Sequence, residues 1–175
     1  MLRRKTNLEF RGMAWTFWVR DLLSPPEKML EESGIAEGMR VLDYGCGPGS
    51  YTIAAARMIG QSGRVIAVDM HPLAIRMVVG KAARENLKNI ETILSDKVPP
   101  LESESIDLVI LYDVFHAIAA PAPLLADIHR VLKPSHTLSF SDHHLKKDVI
   151  ISTVTRGGLF RLVREGKKTL TFERA

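Results

Sequence analysis

Short, almost entirely apolar runs rich in β-branched residues alternate with helix-like segments along this chain, and this alternation restricts its fold more than any other feature. We expect five such runs to form strands, at residues 40–44, 65–69, 90–94, 106–112 and 137–141. The runs "RVIAV" and "IDLVILY" show almost no polar alternation, which is typical of strands buried on both faces. The pattern therefore predicts an α/β fold in which right-handed crossovers build a parallel sheet with helices on both faces.

Residues that start and stop helices separate these runs. We predict helices over residues 51–59, 73–87 and 124–132. Ser50 is the expected N-cap of the first helix, and Gly60 ends it. Pro72 suits the first turn of the second helix, and Pro134 stops the third.

The C-terminal part of the chain shows a different pattern. Residues 146–158 predict a helix that closes at two glycines. The last 17 residues, "LFRLVREGKKTLTFERA", form two alternating segments around Gly166, with Leu170 and Phe172 on one face. This is the pattern of a β-hairpin. A chain of 175 residues with such a tail is expected to form one domain.

Composition and cysteine content favour a cytoplasmic protein. The lone Cys46 cannot form an internal disulfide, and the N-terminal apolar stretch, residues 13–19, is too short and polar for a signal peptide. The most apolar internal run, residues 106–120, contains Asp107, Asp113 and His116, which argues against a membrane span. Eight basic and three acidic residues lie between residues 143 and 175. Such charge can attract an acidic substrate or a phosphate backbone, but we favour a role in keeping the hairpin edge soluble.

A glycine loop follows the first predicted strand. Gly45, Gly47 and Gly49 lead from that strand into a helix, and ligands of open parallel sheets bind at such strand ends. A dinucleotide fingerprint, G-x-G-x-x-G, would need glycine where Ser50 stands, so the spacing disfavours a nicotinamide-dependent oxidoreductase. Asp69 ends the second strand, where a carboxylate can accept both hydrogen bonds of a ribose diol.

Four segments together carry a family resemblance: "VLDYGCGPGSYT", "VIAVD", "IDLVILYDVFHAI" and "VLKPSHTLSFSD". They resemble the successive motifs of the class I S-adenosylmethionine-dependent methyltransferases, and within them the small members grouped with quinone-biosynthesis methyltransferases. The resemblance covers about residues 38–142 and continues through the hairpin. It implies a Rossmann-like, seven-stranded, mostly parallel sheet of order 3-2-1-4-5-7-6 with strand seven antiparallel. It also implies S-adenosyl-L-methionine as the cofactor.

The resemblance also implies roles for particular residues. The three loop glycines would pass beneath the methionine part of the cofactor, Asp69 would hold the ribose, and Met70 would lie against adenine. Asp96 and Val98 would lie near the adenine amino group, and Asp43 would act from the floor of the site through water. An alternative is that Asp43 and Asp96 only cap turns and that Met70 is ordinary packing. The complete predicted cofactor set is Asp43, Gly45, Gly47, Gly49, Asp69, Met70, Asp96, Val98 and Asp113.

Polar residues that follow the fourth and fifth strands are the candidates for chemistry: Tyr112, Asp113, His116, Asp142, His143 and His144. As a hypothesis, His116 or His143 accepts a proton from the substrate, because histidine titrates near neutral pH. Two histidines and a carboxylate are also a possible metal site, and all six are alternatively ordinary polar loop residues. We expect no metal. No role is assigned to His71, His129 and His136.

The N-terminal 33 residues are predicted to form a helical lid over a core of residues 34–175. In related enzymes this region lies over the cofactor, so its aromatic residues are candidates for lining an apolar substrate pocket: Phe10, Trp15, Phe17 and Trp18. The alternative is that they merely pack a helix on the sheet.

The predicted acceptor is a small, partly apolar molecule. Methylases of nucleic-acid bases usually carry an Asn/Asp-Pro-Pro-Tyr/Phe loop after strand four, whereas this chain has "YDVFHAI", so nucleic acid is not expected. The rival hypothesis is a catalytically silent protein that binds S-adenosylmethionine or a partner on the same fold. The acceptor and the oligomeric state are left open by the sequence.

Overall fold

A seven-stranded sheet forms the centre of the computed structural model, which describes residues 6–175. Its strands are β1 (Arg40–Tyr44), β2 (Arg64–Asp69), β3 (Ile90–Leu94), β4 (Ile106–Tyr112), β5 (Leu132–Ser141), β6 (Phe160–Glu165) and β7 (Leu170–Arg174). The order is β3-β2-β1-β4-β5-β7-β6. The first five strands pair in parallel, and β7 runs antiparallel to both β5 and β6. The predicted strand order and fold class are confirmed.

Six helices surround the sheet in the described part of the chain: α1 (Asn7–Leu23), α2 (Pro26–Ser33), α3 (Ser50–Met58), α4 (Pro72–Arg84), α5 (Pro121–Val131) and α6 (Lys147–Thr155). A short 3-10 helix, Phe115–Ala117, follows β4. Over residues 6–175, no helix has both the length and the apolar character needed to cross a bilayer.

Apolar side chains are buried on both faces of the sheet. Leu42, Ile66 and Val109 belong to the cluster on one face, and their strand neighbours Val41 and Leu108 belong to the cluster on the other. Successive residues of a strand point to opposite faces, so a strand covered on both sides needs apolar residues at every position. This explains why these runs in the sequence are nearly continuous.

Several local predictions are wrong. Helix α4 ends at Arg84 and not at residue 87, ahead of Asn86 at a φ of 53°, and α5 begins at Pro121 and not at residue 124. Ser50 is the first residue of α3 rather than its cap; Gly49 occupies the cap position with a φ of 87°, and the Ser50 hydroxyl donates a hydrogen bond to Asp21. The fifth strand begins at Leu132 and not at residue 137, so α5 ends one residue before its predicted end. The pairing of β4 with β5 shifts register before residue 137, and Pro134 lies in that irregular stretch, where no ladder N–H is required.

Helix α2 is attached to the turn between β6 and β7, the two strands at one edge of the sheet. Glu32 of α2 accepts hydrogen bonds from the backbone N–H groups of Lys168 (3.1 Å) and Thr169 (3.2 Å) and from the Thr169 hydroxyl (3.0 Å). Burial opposes ionisation of Glu32, but these hydrogen bonds outweigh it and lower its pKa. The turn between β6 and β7 therefore holds α2 in place, and Lys168 of the same turn also donates a hydrogen bond to Ser24, which caps α1.

Candidate functional site

The glycine loop after β1 is pressed against other parts of the protein. Gly45, Gly47 and Gly49 have φ values of 77°, 53° and 87°. A Cβ on Gly45 would lie 2.5 Å from Cγ2 of Val114, and one on Gly49 would lie 2.7 Å from Cγ2 of Val78. Side chains at these two positions would meet both backbone strain and a steric clash. The close neighbours that require two of the three glycines belong to the protein itself.

Asp69 ties this loop to the end of β2. Its Oδ2 accepts a hydrogen bond from the Gly47 N–H (2.9 Å), and its Oδ1 accepts one from the His71 N–H (2.7 Å). These bonds fix the orientation of the carboxylate. A carboxylate oxygen can accept more than one hydrogen bond, a property that suits the recognition of a vicinal diol.

A cavity, here called the glycine-loop cavity, lies beside this loop. Of the predicted cofactor and catalytic residues, its walls include Gly45, Gly47, Asp69, Met70, Asp96, Asp113 and His116. Asp43, Gly49 and Val98 do not line it. Gly49 caps α3, Val98 lines a separate cavity next to Asp96, and Asp43 is buried within the protein. The roles of all these residues stay predictions.

Asp43 is a buried carboxyl group under the site. It is 3% exposed, and its Oδ2 accepts a hydrogen bond of 2.6 Å from the Thr52 hydroxyl of α3. Burial raises the pKa of Asp43 to about 7, the negative charge of Asp69 adds to this effect, and the Thr52 bond opposes it. Asp43 therefore links β1 to α3 and changes its charge near neutral pH.

Tyr44 is a cavity residue that the sequence analysis did not single out. Its hydroxyl donates a hydrogen bond of 2.7 Å to the backbone carbonyl of Asp96 and so holds the loop after β3 against β1. Burial raises the pKa of Tyr44 to about 12, and the nearby Asp96 charge acts in the same direction. The phenol thus stays protonated and remains a donor at neutral pH.

Helix α1 covers the glycine-loop cavity with Phe10, Met13 and Phe17. The Phe10 ring stacks on His71 with 4.3 Å between ring centres and 19° between planes. His71 is buried, lines the cavity and caps α4 by accepting a hydrogen bond of 3.2 Å from the Leu73 N–H. No role was assigned to His71 from the sequence, although its place between the end of β2 and Pro72 could have indicated a helix cap.

The N-terminal aromatic residues differ in position, and their predicted role at a substrate pocket stays a prediction. Phe10 and Phe17 line the glycine-loop cavity, but Trp15 is 66% exposed and does not line it. Residues 10, 13 and 17 recur at helical spacing on one face of α1, and residue 15 falls on the opposite face. The side chain of Trp18 lies outside what the structure describes.

Asp142, just after β5, holds His116, which follows β4. The Asp142 side chain is 0% exposed and accepts hydrogen bonds from the backbone N–H groups of His116 (2.9 Å) and His144 (3.0 Å). The same carboxylate lies 3.0 Å from Nδ1 of His116. Because a carboxylate oxygen is an acceptor, Nδ1 is the nitrogen of the neutral His116 ring that carries the proton, and Nε2 then has the lone pair.

Asp113, just after β4, makes the reverse contact with His143, which follows β5. Its Oδ1 lies 2.7 Å from Nδ1 of His143 and accepts a bond of 3.1 Å from the backbone N–H of the same residue. Its Oδ2 lies 3.4 Å from Nη1 of Arg20 in α1. The ends of β4 and β5 thus hold each other's histidine. Within residues 6–175, no group of three or more His, Cys, Asp and Glu side chains is arranged to hold a metal ion.

His143 lines a second cavity of about 520 Å³, within the roughly 300–1,000 Å³ that small-molecule sites occupy. This second cavity lies among α1, β5, α6 and β7, and its floor is formed by Phe140, Ile150 and Leu170. It shares Phe17 and Asp113 with the glycine-loop cavity. The two cavities are therefore neighbours at the carboxyl ends of β4 and β5.

A sheet of this order, with a glycine loop after its first strand and an acid after its second, is the arrangement of the class I S-adenosylmethionine-dependent methyltransferases. Residues 35–169 match the family model described as a methyltransferase domain. The chain belongs to this family.

Similar proteins agree with this assignment. A demethylmenaquinone methyltransferase of Staphylococcus aureus is 28% identical over 109 residues, which is 62% of this chain and 44% of the relative. An uncharacterised transposon protein of Streptomyces fradiae is 38% identical over 113 residues, covering 63% of this chain and 32% of that protein. The chain thus spans less than half the length of these curated relatives. The crystal structure of a SAM-dependent methyltransferase from Aquifex aeolicus has 26% identity, 98% coverage of both chains and a TM-score of 0.81.

Proposed function

We propose that this chain transfers a methyl group from S-adenosylmethionine to a small, partly apolar acceptor. The observation that carries the proposal is the pair of adjacent cavities that share Phe17 and Asp113. One has a glycine loop and a positioned carboxylate, and the other has an apolar floor. The similarity to a protein named for demethylmenaquinone supports an apolar acceptor.

The glycine-loop cavity suits an adenosyl cofactor. Gly45 and Gly47 bring bare backbone to its wall, and a Cβ on Gly47 would project to 3.7 Å from the Phe17 ring. Asp69 offers carboxylate oxygens for a ribose diol, with Met70 beside it. When bound, S-adenosylmethionine supplies a methyl group activated by a cationic sulfonium. Asp43, Gly49 and Val98 would then act by supporting this wall rather than by lining it.

The main contribution of the protein would be positioning. An in-line displacement needs donor and acceptor held at a fixed distance and angle, and such orientation lowers a barrier by roughly 7–11 kcal/mol. Phe17 and Asp113 form the boundary between the cavities, and Asp113 is itself held by Arg20 and His143. When α1 is closed over the core, this boundary gives an acceptor a defined position against which it can be aligned.

An acceptor that must lose a proton has two candidate bases. His116 lines the glycine-loop cavity, and His143 lines the second cavity. Each ring is oriented through Nδ1 by a carboxylate, Asp142 and Asp113 respectively. A positioned base of this kind contributes about 10²–10⁴-fold to the rate.

Residues 1–33 would act as a lid on the core formed by residues 34–175. Under the Phe10 and Phe17 rings the glycine-loop cavity measures about 130 Å³, less than the roughly 300 Å³ at the lower end of ligand sites. Cofactor entry therefore needs an outward movement of α1. Deletion of residues 1–20 is expected to abolish methyl transfer, and retained transfer would refute the lid.

The proposal is tested in two steps. Calorimetry with S-adenosylhomocysteine should show binding to the folded chain, and absence of heat would overturn the cofactor assignment. A screen with radiolabelled methyl donor against size-fractionated cell extract should then label a small, extractable product. Binding without any labelled product, together with a stable protein complex, would favour the catalytically silent alternative.

Variants separate the two candidate bases once an acceptor is found. His116→Gln or His143→Gln should lower turnover and reduce its dependence on pH. His136→Gln is the matched control. His136 is in β5, lines neither cavity, and has its Nε2 3.2 Å from Oδ1 of Asp107 in β4. Unchanged turnover in both test variants would exclude a histidine base.

A further inference from the structure

The second cavity combines an apolar floor with a cationic rim. Phe140, Ile150 and Leu170 are buried at its floor. Lys147 at the start of α6 and Lys168 in the turn between β6 and β7 are exposed at its edge. Such a surface matches a ligand that has an apolar body and a charged end.

The carboxylates that line this cavity already have cationic or N–H partners. Asp113 is contacted by the Arg20 guanidinium and by the His143 ring and N–H. Asp142 is buried and receives the N–H groups described above together with the His116 ring. Arg20 is also occupied, because its Nη2 lies 2.8 Å from Asp21. Neither the two carboxylates nor Arg20 decides which charge the cavity offers to a ligand.

The two lysines have no strong acidic partner. Nζ of Lys168 donates a hydrogen bond of 2.6 Å to the neutral hydroxyl of Ser24, and no carboxylate of residues 6–175 forms an ion pair with it. Nζ of Lys147 lies 3.8 Å from Glu165, and both side chains are more than half exposed, so this pair contributes little. The Glu32 carboxylate contacts Lys168 through the backbone N–H and not through Nζ. The rim therefore presents two ammonium groups that are at most weakly paired with acids.

We propose that the acceptor of this methyltransferase is an apolar anion, whose hydrocarbon or aromatic body lies on the Phe140 floor and whose carboxylate or phosphate meets Lys147 and Lys168. The inference rests on the proposed function, because it takes the second cavity as the acceptor site. Positive charge above a low-dielectric wall raises the local concentration of anions. The apolar floor adds the free energy of burying the body of the ligand.

Two dyes with the same ring skeleton test this directly. Anilinonaphthalene sulfonate carries a negative charge, and phenylnaphthylamine is neutral, so their fluorescence titrations separate charge from apolar contact. In the double variant Lys147→Met/Lys168→Met, the affinity for the sulfonate should fall roughly tenfold, while that for the neutral dye changes by less than about twofold. Lys88→Met is the matched control because Lys88 is exposed and lies in neither cavity.

A third variant locates the dye. Thr16 is exposed on α1 and lines the second cavity, so Thr16→Trp should block both dyes without disturbing a buried residue. Naphthoate and naphthyl phosphate should displace the sulfonate dye, and their relative strength distinguishes a carboxylate from a phosphate acceptor. Naphthalenemethanol should displace it much less. Equal affinity for both dyes, equal displacement by the neutral alcohol, or no effect of the lysine variant or of Thr16→Trp would overturn the proposal.

These titrations need neither cofactor nor turnover, so they are independent of the proposed function. Binding of S-adenosylhomocysteine with no preference for anionic dyes would remove the acceptor class and leave the methyltransferase proposal intact. A preference for anionic dyes without binding of S-adenosylhomocysteine would mean that the cavity binds apolar anions for another purpose, and the acceptor assignment would fall with the proposed function.

Discussion

Asp43 should make the stability of this protein depend on pH in a direction opposite to that of an ordinary paired acid. Its pKa rises from 3.8 to about 7, mainly because it is buried. Between these values the folded chain keeps the Asp43 proton and the unfolded chain loses it. The free energy of unfolding therefore falls as pH rises through this interval, by about 1.4 kcal/mol per pH unit and on the order of 4 kcal/mol in total. Above the folded pKa no further loss is expected.

Asp43→Asn mimics the protonated acid and keeps an oxygen for the Thr52 hydroxyl. Urea unfolding followed by circular dichroism should give similar stabilities for the two proteins near pH 4.5, and the variant should be more stable by about 3 kcal/mol near pH 8. Asp148→Asn is the control, because Asp148 is an exposed carboxylate on α6. A difference between wild type and Asp43→Asn that stays constant across this interval would refute the reasoning.

The same variant tests why a costly buried charge is kept under the site. Ionised Asp43 would attract a cationic sulfonium through the low-dielectric interior, whereas S-adenosylhomocysteine is a neutral thioether. At about pH 8, Asp43→Asn should weaken binding of S-adenosylmethionine more than binding of S-adenosylhomocysteine, as measured by calorimetry. Equal losses for the two ligands would mean that Asp43 acts only through structure.

Three further substitutions test the packing and hydrogen bonds described above. Gly45→Ala places a methyl group against Val114 at positive φ and should cost at least about 1–3 kcal/mol of stability, read from urea unfolding. Asp69→Asn should weaken binding of S-adenosylhomocysteine by roughly 10–100-fold in calorimetry, because charge-assisted acceptance by both oxygens is lost. Glu32→Gln should cost about 1 kcal/mol at neutral pH, and this cost should vanish as pH falls through the lowered pKa, since the Thr169 bonds favour the carboxylate.

For each of these variants, one result would contradict the reasoning. Gly12→Ala is the control for Gly45, because nothing lies within 4 Å of a Cβ there, and an equal loss in both variants would show that the Val114 contact is unimportant. Unchanged ligand affinity in Asp69→Asn would remove Asp69 from the cofactor wall. If Glu32→Gln still lowers the free energy of unfolding in acid, the shape of the side chain rather than its charge holds the hairpin turn.

Much of the fold could be predicted because its causes are local and periodic. A strand covered on both faces needs apolar residues at successive positions, and the runs ending at Tyr44, Asp69 and Tyr112 show this directly. The hairpin around Gly166 also follows from alternation, and the predicted strand order came from the family resemblance. Two of the errors arose at Ser50 and Pro134, where a residue that is tolerated in two conformations was assigned the commoner one.

From the sequence we could predict which strand ends carry the site, but not which of their side chains contact each other. His116 and Asp142 are 26 residues apart, and Asp113 and His143 are 30 apart, so no sequence period relates the members of either pair. Val114, whose side chain would clash with a Cβ at position 45, is likewise distant from Gly45 in the chain. These contacts exist because β4 and β5 are neighbours in the sheet and end at the same edge.

By itself the sequence determined the α/β class, the strands, the hairpin and the acids and glycines that follow the first two strands, because hydrophobic period and chain reversal depend on residues close together. Only the tertiary structure decided that each histidine is held by the carboxylate of the neighbouring strand, that Trp15 faces away from the site, and that Lys147 and Lys168 meet at one cavity. Hydrogen bonds and apolar cavities form between surfaces that the sheet brings together, and this proximity is a property of the packed molecule.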